Sequence, residues 1–196
     1  MDVNSNKCEF EQRLLSVTAS KLNASIDTGR LFLEPMAQRH ADTFFPRMQE
    51  ASLYEWIFME PPASLESLRH DWRNIADPMS PDGQFCWPTW AVRRKDDGAY
   101  VGRVDAEVNS ALEALNFGYY FFQPFCGNGY ATEAVLATTQ HLMNHGVSRL
   151  IATVTVGNFA SARVLQKAGF ELQRILPSND TIRGIAVDDW EYVKYR

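Results

Sequence analysis

The most regular hydrophobic pattern of the chain lies in its second half. Between Ala131 and Asn144, apolar and buriable side chains recur at helical spacing, and Gly146 follows as a helix stop. Directly upstream, residues 117–122 are almost all β-favouring, and Pro124 ends that run. The pattern predicts a strand that runs into a loop and then into a helix.

Upstream of this unit, the pattern predicts two helices followed by three strands. The second helix has Ser64 as N-cap and an apolar face that includes Leu68 and Trp72. The first two strands are joined through residues 95–98, a turn sequence in which Gly98 can take a positive φ. The predicted helices are 38–49 and 64–76, and the predicted strands are 87–94, 99–108 and 115–121. Further downstream, residues 149–156 form a β-rich run, and a short helix follows that ends at Gly169.

The loop between the strand and the long helix contains two glycines, Gly127 and Gly129. Glycine lets the backbone approach a ligand without a Cβ in the way, and the helix that follows offers unpaired N–H groups to an anion. A P-loop is excluded, because Tyr130 and Ala131 stand where a lysine and a hydroxyl residue would be needed. A Rossmann loop is disfavoured, because this loop lies past the middle of the chain. Two interpretations remain at this point, a diphosphate cradle and an ordinary strand-to-helix turn.

Composition narrows the class of protein. A chain of 196 residues that is 45% hydrophobic can bury one substantial core, so one domain is expected. The net charge of −5 argues against nucleic acid as the main ligand and mildly favours cationic substrates. Three cysteines without metal-ligand spacing predict neither a disulfide framework nor a metal site. No membrane-spanning run or export signal is apparent, so a cytoplasmic location is expected.

The first 28 residues stand apart from the pattern described above. Phe10, Leu14, Leu15, Val17 and Leu22 predict an amphipathic helix there. We expect this N-terminal extension to pack on the core or against a second subunit in a homodimer.

Two motifs in order carry a family resemblance. The first is the loop sequence Gly-Asn-Gly-Tyr-Ala-Thr-Glu-Ala of residues 127–134, and the second combines Asn158, Ser161, Lys167 and Gly169-Phe170. Together they resemble the GNAT superfamily of acyl-CoA-dependent N-acetyltransferases, in its ribosomal-protein-acetyltransferase-like (RimJ/RimL) branch. The resemblance covers residues 29–196, from the first strand at 30–35 to a last hairpin marked by Gly184, Asp188 and Tyr192. It divides the chain into an extension, 1–28, and an acetyltransferase domain, 29–196.

The resemblance implies an α+β fold, with a mixed, mostly antiparallel twisted sheet flanked by helices. Two central strands, ending near Phe122 and Val156, would splay apart and hold the pantetheine arm of acetyl-CoA in the gap between them. An N–H near Phe121 would then meet the thioester carbonyl. The residues implied to bind the cosubstrate are Phe121, Phe122, Cys126, Gly127, Asn128, Gly129, Tyr130, Ala131, Thr132 and Asn158. Cys126 departs from the Gln, Arg or bulky residue that relatives carry there, but a cradle built from backbone groups tolerates the change.

The same resemblance suggests how the departing thiolate is stabilised. Most members use a tyrosine on the short helix after the second motif, whereas this chain has Leu165 there. Ser161, one turn earlier, falls where the ribosomal-protein branch carries a serine thought to act as the acid. Ser161 could equally cap the first turn of its helix, and Asn158 could act as an N-cap, as a ligand to CoA or as both.

The acceptor amine needs a base or a water relay, and two carboxylates are candidates for the base. Glu107 shares one face of its strand with Arg103 and Asp105, and Asp180 falls near a family acidic residue. The aromatic segment 53–62 is expected to form the acceptor wall or, alternatively, to pack on the core. We therefore predict an N-acetyltransferase for a primary amine, either a protein N-terminus or a small molecule. The alternative is a catalytically silent CoA-binding regulatory module of the same fold.

Overall fold

The computed structural model describes residues 3–196, with side chains from residue 11 onward. Within this range it contains five α-helices: α1 (Val3–Leu22), α2 (Ala41–Phe44), α3 (Leu65–Asp71), α4 (Tyr130–Asn144) and α5 (Phe159–Lys167). The nine strands of the described chain are β1 (Ile26–Asp27), β2 (Leu31–Pro35), β3 (Phe85–Cys86), β4 (Thr89–Arg94), β5 (Tyr100–Asn109), β6 (Glu113–Phe121), β7 (Arg149–Thr155), β8 (Glu171–Ile182) and β9 (Ile185–Tyr195).

All nine strands belong to one sheet with the order β1-β2-β4-β5-β6-β7-β9-β8, and β3 pairs with β5. Every neighbouring pair is antiparallel except β6 and β7, which are parallel. A parallel pair needs a crossover connection, and α4 provides it. The predicted α+β class with a mixed, mostly antiparallel sheet is confirmed.

The parallel pair β6–β7 separates almost as soon as it forms. Only Glu113 opposite Arg149 and Ala114 opposite Leu150 are in register. Beyond them, β6 stays paired with β5 as far as Phe121, and β7 stays paired with β9 as far as Thr155. Each strand therefore has one edge that faces an opening, which we call the β6–β7 gap.

The two faces of the sheet are covered by different helices. The larger core joins α1, α4 and α5 to one face, and it includes Val104, Val135 and Leu165. The smaller core joins α2 and α3 to the other face, around Phe44 and Phe122. Because side chains alternate along a strand, β4 contributes Trp90 to the larger core and Ala91 to the smaller one, and β6 likewise contributes Phe117 and Tyr120.

The N-terminal helix α1 packs on the larger core. Leu15, Ala19 and Leu22 are buried there, whereas Leu14 and Val17 are exposed. Its carboxyl end is held by His141 on α4, whose Nε2 lies 2.9 Å from the carbonyl oxygen of Lys21. A helix is present where one was predicted, but of the predicted apolar face only Leu15 and Leu22 are buried, and Phe10 lies outside the residues whose side chains are described.

Several element boundaries differ from the predictions. Segment 38–49 is not one helix but a 3-10 turn, the short α2 and a second 3-10 turn, interrupted at Pro46, which lacks the N–H that a continuous helix needs. α3 begins after its predicted cap, Ser64, whose Oγ accepts from Ser67 N at 3.0 Å. It ends at Asp71, and the residues up to 77 continue in i to i+3 turns. The short strands β1 and β3 were not predicted.

The order of the remaining elements agrees with expectation, and the β8–β9 hairpin turns at Gly184 with φ +78°. No helix in residues 3–196 is long and apolar enough to span a membrane.

Candidate active site

The glycine loop lies between the end of β6 and the start of α4, as predicted. A 3-10 turn at Gln123–Phe125 follows β6, and residues 126–129 are exposed. Gly127 and Gly129 both have φ +79°, in the left-handed region that favours glycine, and Gly129 is the N-cap of α4. The first N–H groups of α4 have no partner within the helix, so the loop presents donors and a positive dipole end to the same place.

The space above the loop suits an anion. A Cβ built on Gly127 would meet no described atom within 4 Å, and one on Gly129 would meet only Arg30 Nη2, at 3.5 Å. The backbone is therefore accessible from outside, which is what a diphosphate group would need.

Arg30 and Glu133 connect the start of β2 to this loop and to the first turn of α4. Arg30 donates from its backbone N–H to Glu133 Oε1 at 2.8 Å and from Nε to Oε2 at 2.6 Å. Its Nη1 also donates to the carbonyl oxygen of Asn128 at 3.0 Å, and its guanidinium lies over the Tyr130 ring. Although burial alone would raise the pKa of the Glu133 carboxyl, hydrogen bonds from Thr28 and Arg30 lower it below its usual value. We call this arrangement the Arg30–Glu133 clamp.

Sequence reasoning missed the clamp, although both residues belong to segments that it quoted. They are 103 positions apart, and a charge pair at that separation has no periodic signal.

The other side chains of the loop serve its shape. Asn128 donates from Nδ2 to the carbonyl oxygens of Phe125 and Cys126, at 3.2 Å and 3.1 Å, which folds the loop on itself. The Cys126 thiol faces the carbonyl oxygens at the end of β6, and the partial loss of water around it raises its pKa. A thiol with a raised pKa is a poor nucleophile, so the cysteine fits a passive place in the loop.

The backbone at the end of β6 points one donor into the β6–β7 gap. Phe122 N donates to the carbonyl oxygen of Val101 on the β5 side, at 2.9 Å. Because successive N–H groups along a strand point to opposite sides, the N–H of Phe121 is directed to the β7 side. A carbonyl group lying in the gap could accept from it.

Ser161 lies in the first turn of α5, and its hydroxyl is not used as a cap. Asn158 is the N-cap, and its Oδ1 accepts from Ser161 N at 3.1 Å. The cap uses the amide oxygen of Asn158 and not its NH₂ group. The Ser161 Oγ lies 2.7 Å from the hydroxyl of Tyr119, a β6 residue that sequence analysis placed only in the strand. The sequence offered no signal for this contact beyond the place of Tyr119 in a β-favouring run.

A cavity of about 1000 Å³ lies on the face of the sheet that α2 and α3 cover, opposite α4 and α5, between β5 and the residues that follow α3. Arg103, Asp105 and Glu107 line it together, as the alternation predicted, with Asn116 of β6. Asp105 Oδ1 lies 2.9 Å from Arg103 Nε and forms an ion pair with it, and Glu107 Oε2 accepts a hydrogen bond from Trp87 Nε1 at 3.2 Å. The lining carries four carboxylates, Asp71, Asp77, Asp105 and Glu107, against two guanidinium groups, Arg73 and Arg103. The cavity therefore favours a cation.

The family model described as the acetyltransferase (GNAT) domain matches residues 30–171, which is more than half of the chain. The chain belongs to the GNAT acetyltransferase family.

Individual relatives are more distant. The probable N-acetyltransferase YjcK of Bacillus subtilis (strain 168) is 33% identical over 85 residues, and the match covers 43% of this chain and 45% of that protein. Less than half of that relative's length is thus represented.

Solved GNAT structures match in fold. The ribosomal L7/L12 α-N-protein acetyltransferase RimL, solved with coenzyme A, superposes with a TM-score of 0.78 at 19% identity, over 87% of this chain and 97% of that chain. The ribosomal-protein-S5-alanine acetyltransferase of Vibrio fischeri gives 0.75 at 17% identity, over 87% and 96%. The microcin C7 self-immunity acetyltransferase MccE, solved with acetyl-CoA and AMP, gives 0.74 at 18% identity, over 86% and 94%.

Two features of this GNAT chain bear on its chemistry. Leu165 of α5 is fully buried in the larger core and has no hydroxyl to donate. Asp180 lies in β8 opposite Val187, where its carboxylate accepts from Thr181 N, and it is not among the residues that line the cavity.

The segment expected to form an acceptor wall lies near the open end of the gap. The Trp56 ring stands 3.6 Å from where a Cβ on Gly157 would be, in the turn between β7 and α5. Arg183, in the β8–β9 turn, donates to the carbonyl oxygen of Tyr54 at 3.4 Å. The segment therefore contacts the two turns that border this end of the sheet.

Proposed function

We propose that this protein transfers an acetyl group from acetyl-CoA to a primary amine, either a protein N-terminus or a small molecule. The observation that carries the proposal is a combination of three features at one place. They are the glycine loop at the start of α4, the β6–β7 gap and the Ser161 hydroxyl on α5. The diphosphate binds the N–H groups of the loop, and the pantetheine arm lies in the gap as an extra strand.

The residues assigned to the cosubstrate each have a role in this arrangement. The backbone of Cys126, Gly127, Asn128, Gly129, Tyr130, Ala131 and Thr132 holds the diphosphate through N–H groups and the helix dipole. Phe121 donates its N–H to the thioester carbonyl, and Phe122 secures the end of the strand by its bond to Val101. The NH₂ group of Asn158 contacts CoA, while its oxygen caps α5.

The reaction needs an acid for the sulfur and a route for the amine proton. Ser161 donates a hydrogen bond to the sulfur as the carbon–sulfur bond breaks. Glu107, in a cavity whose lining carries four carboxylates against two guanidinium groups, is the base that the charge distribution favours. Asp180 is the second candidate, from its place in the chain.

The names of the RimL and S5-alanine relatives point to ribosomal-protein N-termini, and the excess of carboxylates in the cavity suits a protonated amine of either source. The silent CoA-binding module is the second candidate function, because the buried Leu165 removes the hydroxyl that most members use.

Calorimetry with acetyl-CoA, followed by CoA release against a panel of amines and N-terminal peptides, separates the two candidates. Binding and turnover together support the enzyme. Binding without turnover on any amine would favour the silent module, and no binding would exclude both.

Ser161→Ala tests the assigned acid. We expect kcat to fall by ~10² to 10⁴, with acetyl-CoA affinity little changed, because the serine acts mainly in the transition state. Ser148→Ala is the matched control, since this exposed serine bonds the carbonyl oxygen of Leu112 away from the gap. A Ser161→Ala variant with unchanged kcat would remove Ser161 from the mechanism.

A further inference from the structure

Tyr119 connects β6 to α5 across the β6–β7 gap. It lies beyond Ala114, the last residue of β6 that pairs with β7, so no ladder joins the two strands at its level. Its hydroxyl oxygen lies 2.7 Å from Ser161 Oγ and 3.1 Å from the carbonyl oxygen of Ser161. The Ser161 hydroxyl is therefore held against Tyr119 at the edge of the gap.

The single proton of the Tyr119 phenol has two possible acceptors. The carbonyl oxygen of Ser161 already accepts within α5, from the N–H of Leu165 one turn later, as helix geometry requires. The Ser161 Oγ lies closer to the Tyr119 hydroxyl than the Ser161 carbonyl oxygen does. It acts as the acceptor in this contact only if Tyr119 is the donor. With Tyr119 donating to Oγ, the proton of Ser161 itself is free to point elsewhere.

We propose that Tyr119 is a positioning residue for the proposed acid, donating its hydroxyl proton to Ser161 Oγ so that the serine proton points to the sulfur of CoA in the β6–β7 gap. The inference rests on the proposed function, in which Ser161 serves the sulfur. In this arrangement β6 supplies a tyrosine hydroxyl to the site, whereas α5 carries Leu165 at the position where the resemblance implied a tyrosine.

The chemistry balances in the following way. The amine nitrogen forms a bond to the acetyl carbon and the carbon–sulfur bond breaks, with its electron pair remaining on sulfur. Ser161 O–H donates to that sulfur, and the Tyr119 O–H donates to Ser161 Oγ, so negative charge is shared along two hydrogen bonds. The nitrogen gives up one proton to the base or to water, and sulfur gains one through Ser161, which recovers a proton from water.

The surroundings of Tyr119 keep its proton in place. Burial raises the pKa of Tyr119 to about 12, against the smaller opposing effect of its hydrogen bond with Ser161. The phenol is therefore a donor throughout the neutral and mildly alkaline range in which an amine is acetylated.

A double-mutant cycle tests whether Tyr119 acts through Ser161. Tyr119→Phe should lower kcat by about tenfold with the KM for acetyl-CoA unchanged, the scale of one lost hydrogen bond to a polarised group. In the Ser161→Ala background the same change should have no further effect. Tyr100→Phe is the matched control, because it removes another half-buried tyrosine hydroxyl, bonded to Glu34 Oε1 at 2.5 Å, away from the gap. Effects of Tyr119→Phe and Ser161→Ala that multiply would overturn the proposal.

A second measurement does not depend on an amine substrate. The affinity of CoASH relative to desulfo-CoA, followed by calorimetry from about pH 7 to about pH 10, reports the pKa of the bound thiol. Ser161→Ala should raise that pKa, Tyr119→Phe should raise it by a smaller amount, and Tyr100→Phe should leave it unchanged.

These outcomes separate the inference from the proposed function. If the wild-type protein acetylates no amine, the proposed function fails, and the thiol pKa still tests the Tyr119–Ser161 pair. An unchanged thiol pKa in Tyr119→Phe, or absence of CoASH binding to the wild type, would overturn the inference itself.

Discussion

Replacing Arg30 by alanine should weaken both the fold and the binding of acetyl-CoA. The substitution removes the Nε bond to Glu133, the Nη1 bond to the Asn128 carbonyl and the cation over the Tyr130 ring. The backbone N–H of residue 30 and the hydroxyl of Thr28 still bond Glu133. The loop therefore loses its tether, while the first turn of α4 keeps part of its support.

The size of the effect follows from exposure. The Arg30 side chain is 52% exposed, so its ion pair is worth at most the ~0 to 1 kcal/mol of a solvent-screened pair. The bond to the Asn128 carbonyl adds about 1 kcal/mol, and the cation–π contact about 0.5 kcal/mol. Since such terms are not additive, we expect a loss of about 1 to 2 kcal/mol, or ~2 to 8 °C in Tm for a chain of this length.

The free energy lost with the Arg30 side chain also affects the binding of acetyl-CoA. If the clamp orders the loop in advance, the variant must order it on binding, so acetyl-CoA affinity should fall by about 5- to 30-fold. Isothermal titration calorimetry measures the affinity, and differential scanning calorimetry measures Tm.

Arg39→Ala is the control, because Arg39 pairs with Glu34 at 3.1 Å, is similarly exposed and does not touch the loop. It should affect stability little and acetyl-CoA affinity not at all. If Arg30→Ala binds acetyl-CoA as tightly as Arg39→Ala does, the clamp does not shape the cosubstrate site, and the reasoning is refuted.

The remaining predictions concern the loop, the base and the buried tyrosines. Gly129→Val should abolish CoA binding in a folded protein, because a β-branched residue is strained at φ +79° and its methyl groups would crowd the diphosphate. An unchanged CoA affinity in calorimetry would show that the loop is not the phosphate site. We expect kcat/KM to rise from about pH 6 towards about pH 8 to 9, because the ionised base and the free amine form over that range. Of Glu107→Gln and Asp180→Asn, only the variant that removes the base should lose activity and flatten the acidic limb of the pH profile. If neither variant does so, both assignments fail. Burial raises the pKa of Tyr100 and of Tyr119 to about 12, above the ~10 of an unfolded tyrosine, so their contribution to stability is complete below about pH 10 and is lost as the pH rises through about 12. In a spectrophotometric titration these phenols should ionise late, and Tyr119→Phe should remove one late step.

Local pattern determined the elements around the site. Helix α4 could be predicted from side-chain periodicity, and the positive φ values at Gly127 and Gly129 follow from a turn that only glycine adopts without strain. The N-caps Ser64 and Asn158 were likewise predictable, because a cap acts within three residues of its own position. The break at Pro46 was also predictable from local sequence, because proline lacks the N–H that a continuous helix over residues 38–49 would need.

Only the tertiary structure decided how these elements form a site. The β6–β7 gap depends on where two strands stop pairing, and pairing is a property of both strands and of the crossover between them. Arg30 and Glu133 meet across 103 positions, and Tyr119 and Ser161 across 42, with no repeating pattern to link them. The β-favouring run placed Tyr119 in a strand without indicating a polar partner for it. Such contacts arise from the packing of the whole sheet against α4 and α5, because a hydrogen bond between distant residues needs both backbones in place before its geometry exists.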